Sequence, residues 1–178
     1  SDTRNAILLQ LYTNSRIGEI AGLELEEIDL ESHTWSLPSM KSKNGRHHKI
    51  ALSEQAINII KEQVEIHGET GLLFKSPNGR PLRNSTVSTA MLKNRKQLGI
   101  PKGYSTHANR HFGQTILAQL GCPVEVRDRI SNHALSTTMS ALYNHHQFDE
   151  EARNWTNKLS NYIEALAKGN AVVIDEAR

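Results

Sequence analysis

Apolar residues recur at helical spacing through residues 3–13 (TRNAILLQLYT), and the pattern resumes over 16–23 after Asn14-Ser15, a pair that signals a turn. The period then changes. Residues 34–37 and 47–52 read as strands around a loop containing Asn44-Gly45, a dipeptide that strongly favours a hairpin. Ser53 fits a helix N-cap, Ala56, Ile59, Ile60 and Val64 line one face of the helix behind it, and Gly68 fits its end. Residues 71–83 form an irregular connector with a turn at Pro77-Asn78-Gly79. Asn84 is placed to cap a helix running to about Leu98, closed by Gly99 and Pro101. Thr106 is placed to cap a helix through Leu120 that Gly121 ends, and Pro123 opens another to about Asn132. A short helix over 136–144 and a last one from about Asp149 to Ala167 complete the pattern. The fold class is α+β, mostly helical, with a small antiparallel hairpin or sheet.

The length of 178 residues suits one domain, with a helical core over about 3–167 and a tail over about 168–178. A mean hydropathy of −0.53, with no signal peptide and no long apolar run, argues against a membrane chain. The single cysteine, Cys122, cannot form an internal disulfide and reads as a small buried residue of a cytosolic, reducing-compartment protein. The sequence opens without an initiator Met, inside the approach to a helix, and reads as an excised domain.

Charge changes the picture only when it is placed along the chain. Twenty-one Lys and Arg against nineteen Asp and Glu leave a net +2, which says nothing about partners. Yet residues 70–124 contain no acid and eight bases: Lys75, Arg80, Arg83, Lys93, Arg95, Lys96, Lys102 and Arg110. Residues 32–53 are also acid-free and carry Lys41, Lys43, Arg46 and Lys49, and residues 129–148 carry Arg129, His133, His145 and His146. Compensating acids cluster in Glu24, Glu26, Glu27, Asp29 and Glu31 and in the tail. If the three acid-free stretches converge, one face is cationic and suited to a polyanion, with an acidic back.

Within those stretches several polar residues sit oddly in apolar surroundings: His107 with Arg110, His133 after a turn, Tyr143 beyond it, and Lys43 on the hairpin, joined by Arg16 and Glu19 near the start. This set lacks both a carboxylate cluster to hold Mg²⁺ and a glycine-rich phosphate cradle. It suits a phosphate site made of side chains. Arginine forks donate bidentate hydrogen bonds to non-bridging oxygens and stay charged, so they can stabilise a pentavalent transition state without a metal. A tyrosine hydroxyl, ordinarily ionising at about pH 10, needs a cationic surround and a proton acceptor to act as a nucleophile, and a lysine can protonate the leaving alkoxide. Each residue alone has a plainer reading. Arg16 and Glu19 at i, i+3 can be a structural ion pair, and Tyr143 an ordinary core or surface aromatic. His107 and His111 at i, i+4 lack the glutamate of a zinc signature, since Ala108 follows His107. His47-His48 and His145-His146 are adjacent pairs whose side chains diverge, and Trp35 and Trp155 read as core.

Taken together, TNSRIGEIAGLELEEIDL, KSKNGRHHKIALS, STHANRHFGQTILAQLG and ISNHALSTTMSALYNHH resemble, in order and spacing, the four signature regions of tyrosine site-specific recombinases, the phage-integrase family. The resemblance covers roughly residues 4–165. It implies an integrase-type catalytic domain, lacking here the family's N-terminal DNA-binding domain. It implies Arg16 as first catalytic arginine with Glu19 beside it, Lys43 as the hairpin lysine, His107 and Arg110 as the H-x-x-R pair, His133 as the late histidine and Tyr143 as nucleophile. No cofactor or metal is implied. The implied partner is double-stranded DNA, cut and rejoined through a 3′-phosphotyrosine link by a homotetramer acting in the cytoplasm at the nucleoid, with integration or excision of a mobile element as the expected process.

Departures from the family pattern have physical readings. The chain has Asn14 and Asn132 where glycine is usual, and asparagine is the best substitute for glycine in a left-handed turn. Ala108 replaces a common Asp, and Ile50-Ala51-Leu52 the usual V-P-L. Lys41 and Arg46 flank Lys43; the position before Asn44-Gly45 favours Lys43 as the general acid, with Lys41 the alternative. DNA-backbone candidates are Lys41, Arg46, Lys93, Arg95 and Lys96, with base readout expected from Lys93, Asn94 and Lys96 on the 84–98 helix. Ala171-Val172-Val173-Ile174 forms an apolar patch suited to docking on a neighbouring protomer. The sequence is also compatible with a type IB topoisomerase-like nicking enzyme, a non-catalytic DNA-binding module of the same fold and a histidine metalloprotein.

Overall fold

The structure is a computed structural model that describes residues 1–97, 99–133 and 145–170. The expected helix over 136–144, Tyr143, Leu98 and the Ala171–Ile174 patch lie outside the described residues.

Helix α1 (Asp2–Thr13) is the hub. It packs against α2 (Ile17–Ala21), α3 (Glu54–His67), α4 (Asn84–Lys93), α5 (Thr106–Gln119) and α7 (His145–Ala167). A helix so surrounded buries residues on more than one face, which is why Asn5 and Gln10 are buried along with Ala6, Leu9 and Tyr12. Ile20, Ile57, Ile60, Leu117 and Leu159 close around it, each at most 1% exposed. A side chain of that kind contributes about 1.5–3 kcal/mol by leaving water. Ser53 caps α3 as expected, its hydroxyl accepting from the Ala56 N–H at 3.3 Å.

The hairpin strands are β2 (Thr34–Leu37) and β3 (His48–Ala51), antiparallel, with Trp35 opposite Ile50 and Leu37 opposite His48. Period-two alternation sends Trp35, Leu37, His48 and Ile50 inward. A third strand that the pattern did not predict, β1 (Ile28–Asp29), follows a single turn of 3-10 helix and pairs with β2. It is too short to carry a periodic signal. Helix α7 is tied to this sheet by Arg153, which donates to the His33 carbonyl at 3.1 Å and the Thr34 hydroxyl at 3.2 Å.

Several boundaries differ from the sequence pattern. Helix α4 ends at Lys93 rather than near Leu98: its buried residues are Val87 and Met91, and Leu92, Lys93 and Asn94 that follow are exposed. Asn94, expected to face DNA bases, instead turns its amide back to the Ala90 carbonyl at 2.9 Å and closes that helix. Arg83, Ser105 and Pro123 occupy the N-cap positions, so Asn84, Thr106 and Val124 are first helical residues. Helix α7 already includes His145, four positions before Asp149.

Helix α6 (Val124–Ile130) ends in a Schellman motif. The His133 N–H reaches the Asp128 carbonyl at 2.8 Å, the Asn132 N–H reaches Arg129 at 3.0 Å, and Asn132 is left-handed at φ 49°. Asn14, ending α1, is left-handed at φ 52°. Both asparagines thus hold the conformation for which glycine is the usual residue.

Candidate active site

The two left-handed turns frame a buried arginine. Arg110, 4% exposed on α5, donates from Nη1 to the Asn14 carbonyl at 2.7 Å and from Nη2 to the Ser131 carbonyl. Both oxygens lie at helix ends, where carbonyls lack helical partners and carry the negative end of the dipole. Burial, and then the charge of Arg16, lower the Arg110 pKa to about 10, which still leaves it charged at neutral pH. A guanidinium has five N–H donors, so two fixed hydrogen bonds leave others for a ligand.

Side-chain hydrogen bonds brace this floor. Asn14 Nδ2 donates to the Ser131 hydroxyl at 2.9 Å, and Gln114 donates to the same hydroxyl and to the Arg127 carbonyl at 3.0 Å. Gly113 makes room for Asn14: a Cβ there would lie 2.4 Å from Asn14 Oδ1. One turn earlier, Asn109 receives the Tyr104 hydroxyl proton at 2.8 Å and donates to Gln10 Oε1 at 3.0 Å, while Gln10 donates to the Thr106 carbonyl.

Above the floor lies a cleft of about 360 Å³ into which Arg16, Glu19, Lys41, Lys43, His107 and Arg110 all reach. Arg16 occupies the N-cap position of α2. Glu19 accepts from its backbone N–H at 3.1 Å and from Nη1 at 3.2 Å. The buried carboxylate therefore fixes Arg16 from below while the guanidinium stays 22% exposed. His107 is exposed at the rim. Its pKa is held below the ordinary imidazole value first by what desolvation it has, then by the charges of His111, Arg110, Lys43 and Arg16. Its ring packs edge-on against His111, with centroids 4.5 Å apart. Among the described residues no group of three or more His, Cys, Asp and Glu side chains converges.

The hairpin bases divide sharply. Lys41 donates to the Gly22 carbonyl at 3.1 Å and to Glu24 at 2.8 Å, and pairs with Glu27. Partial burial works against its charge, but the hydrogen bonds to Glu24 and Glu27 win and raise its pKa. The acidic block is therefore no detached back: it folds onto a base of an acid-free stretch. Lys43, two residues on, is exposed and lines the cleft, and Arg46 is exposed on the same loop. His133 is 44% exposed, its Nδ1 3.1 Å from Asp128 Oδ1. It follows the turn that holds Arg110. Lys93 and Lys96 are exposed and Arg95 half-buried, outside the cleft lining.

Some placements follow from the fold alone. His47 is exposed and His48 buried, so the adjacent pair diverges. Cys122 is 4% exposed, with burial pushing its pKa up to about 12. Gln10, Ser42, Asn109, Gln114 and Ser131 were not visible as site residues, because their partners lie far along the chain and a lone Ser, Asn or Gln carries no spacing signal. Asn14 and Asn132 were visible only as turn formers.

The fold and cleft define a mostly helical α+β domain that converges fixed cations on one open site. Residues 1–150 match the phage integrase family, and the chain belongs to that family. It is 26% identical over 174 residues to the prophage integrase IntA of Escherichia coli K12, covering 96% of this chain and 41% of that one. It is 29% identical over 140 residues to the tyrosine recombinase XerC of Mesorhizobium japonicum, covering 76% and 45%. The chain thus spans less than half the length of these two relatives. In fold it resembles the integrase of mycobacterium phage Brujita, with a TM-score of 0.70 and 22% identity over 89% of this chain and 51% of that one. It also resembles the Tn1549 transposon integrase solved in complex with circular intermediate DNA, with a TM-score of 0.63 and 23% identity over 86% and 56%.

Proposed function

We propose that the chain is the catalytic domain of a site-specific recombinase that cuts and rejoins double-stranded DNA, for integration or excision of a mobile element. The observation that carries this reading is the convergence of Arg16, Lys43, His107 and Arg110 on one cleft, where the one carboxylate among the described lining residues, Glu19, is turned onto Arg16. Those cations suit a phosphodiester. Arg16 and Arg110 hold its non-bridging oxygens, and Arg110 needs no reorganisation because its plane is already set by two carbonyls.

In the first step the Tyr143 oxygen forms a bond to phosphorus, the bond from phosphorus to the 5′-oxygen breaks, and the phenol proton passes to an imidazole of the site. His107, kept toward its neutral form, suits that acceptance, and His133 positions the phosphate. Lys43 gives a proton to the departing 5′-oxygen. Lys41 is unsuited to that role because its ammonium is spent on Glu24, Glu27 and Gly22. A 5′-hydroxyl from a partner duplex then reverses the exchange. One phosphodiester is consumed and one formed, so no energy source is needed. Two duplexes exchanging strands call for four protomers, and the enzyme works at the nucleoid in the cytoplasm. Exposed Lys93, Lys96 and Arg46, with Arg95, supply backbone attraction that weakens with salt.

The test is a pool of duplexes, nicked near a randomised centre, incubated with the protein at its natural length. An SDS-resistant protein–DNA adduct, unaffected by EDTA, is expected. Tyr143→Phe is expected to abolish the adduct while DNA binding persists. An adduct that survives in Tyr143→Phe overturns the nucleophile, and EDTA sensitivity overturns the metal-free mechanism.

A further inference from the structure

The exposed Lys43 is held by its neighbours rather than by itself. The loop from Pro38 to His47 makes few backbone hydrogen bonds of its own: the Lys41 and Ser42 N–H groups to the Pro38 carbonyl, and the Gly45 N–H to Ser42. Its residues then divide between two anchors. Lys41 is fixed to Gly22, Glu24 and Glu27 on the α2–β1 side. Ser42 and Asn44 are fixed to a single residue on the far side, Asn132. Asn132 Nδ2 donates to the Ser42 hydroxyl at 3.0 Å, and Asn44 Nδ2 donates to the Asn132 carbonyl. Lys43 stands between these attachments and lines the cleft. Ser42 and Asn132 are 7% and 9% exposed, so their bond forms out of water, where losing one partner leaves the other unsatisfied.

We infer that Asn132 is a positioning residue for Lys43: its side chain latches the lysine loop to the turn that carries His133 and the carbonyl of Ser131, so that proton donor, phosphate clamp and late histidine keep one register. A left-handed turn requires only that this position tolerate φ 49°, and glycine does so best. Glycine would preserve the turn and the Schellman bonds but could not reach Ser42. Asparagine meets the backbone demand and adds a donor aimed at the loop.

This inference rests on the strand-transfer reading, and its test separates the two. The duplex that the wild-type protein selects from the nicked pool is made in two forms, one ordinary and one with sulfur replacing the bridging 5′-oxygen. A thiolate leaves without a proton donor, so Lys43→Ala, slow on the first form, is expected to recover on the second. Asn132→Gly and Ser42→Ala are each expected to slow single-turnover adduct formation about five-fold on the oxygen form, the value of one net hydrogen bond. The double variant is expected to be no slower than either single one. On the sulfur form all three are expected to match wild type. Unchanged rates on the oxygen form, or the same slowing on both forms, overturn the latch, the second outcome marking general loosening of the site. Absence of any wild-type adduct overturns the strand-transfer reading and the latch with it, whereas an adduct with unaltered Asn132→Gly kinetics overturns the latch alone.

Discussion

The floor of the cleft and its rim hold charge in opposite ways. On the floor Arg110 is buried, its guanidinium spent in part on two helix-end carbonyls, and the groups around it are nearly inaccessible: Asn14 at 1% and Ser131 at 0% exposed. On the rim Lys43 and His107 are exposed, the lysine held through hydrogen bonds of its loop neighbours and the imidazole packed edge-on against His111, while His133, beyond the turn, is exposed beside Asp128. The difference separates a charge that the fold must keep in place from charges that a bound phosphate helps to place. A buried cation without partners would cost several kcal/mol, so the floor has to be complete before ligand arrives. The rim does not.

The largest effect is expected where that contrast is broken at the floor. Arg110→Lys keeps the charge, but one ammonium cannot reproduce a planar fork spanning two carbonyls and two phosphate oxygens. Adduct formation is expected to fall about 10²- to 10³-fold, read in single turnover. A loss under ten-fold would place Arg110 with the adaptable rim.

Acid probes the seam between floor and hairpin. His48 is 3% exposed, and burial first, then the charges of Arg129 and Arg110, lower its pKa to about 4 against an ordinary 6.5. Between those values the unfolded chain binds a proton that the folded one refuses. Stability is therefore complete above about pH 6.5 and falls as pH drops toward 4, by on the order of 3 kcal/mol from this group. Urea unfolding across that range should show the slope, and His48→Leu should flatten it. An unchanged slope would mean that carboxylates elsewhere dominate.

Gly113→Ala sharpens the floor's internal packing. The added methyl meets the buried Asn14 side chain, which Ser131 holds in place, so a loss of about 1–3 kcal/mol in unfolding free energy is expected. Asn14→Gly in the same chain should recover much of that overpacking loss, because it empties the space and glycine accepts the left-handed turn. Additive losses would show that the two positions do not share that space.

Much of this architecture was legible in the residues. Apolar periodicity gave α1 and α3, the Thr106 and Gly121 end signals gave α5, Asn44-Gly45 gave the hairpin, and the glycine-like behaviour of Asn14 and Asn132 followed from asparagine's tolerance of positive φ. These are local properties, decided within a turn or two of chain. The length of α4 was not legible, since a helix stops where burial stops, and burial depends on elements elsewhere. Nor was the three-stranded sheet, whose first strand has two residues.

By itself, then, the sequence determined the elements, the turn conformations and the kinds of charge available to the site. Tertiary structure decided which charges are free. It paired Lys41 with Glu24 and Glu27 and left Lys43 over the cleft, seated Arg110 on carbonyls 96 and 21 positions away, and brought the Asn132 amide to Ser42 across 90 positions. Hydrogen bonds at such separations leave no periodic trace, because the chain between the partners can take any path until the core fixes one.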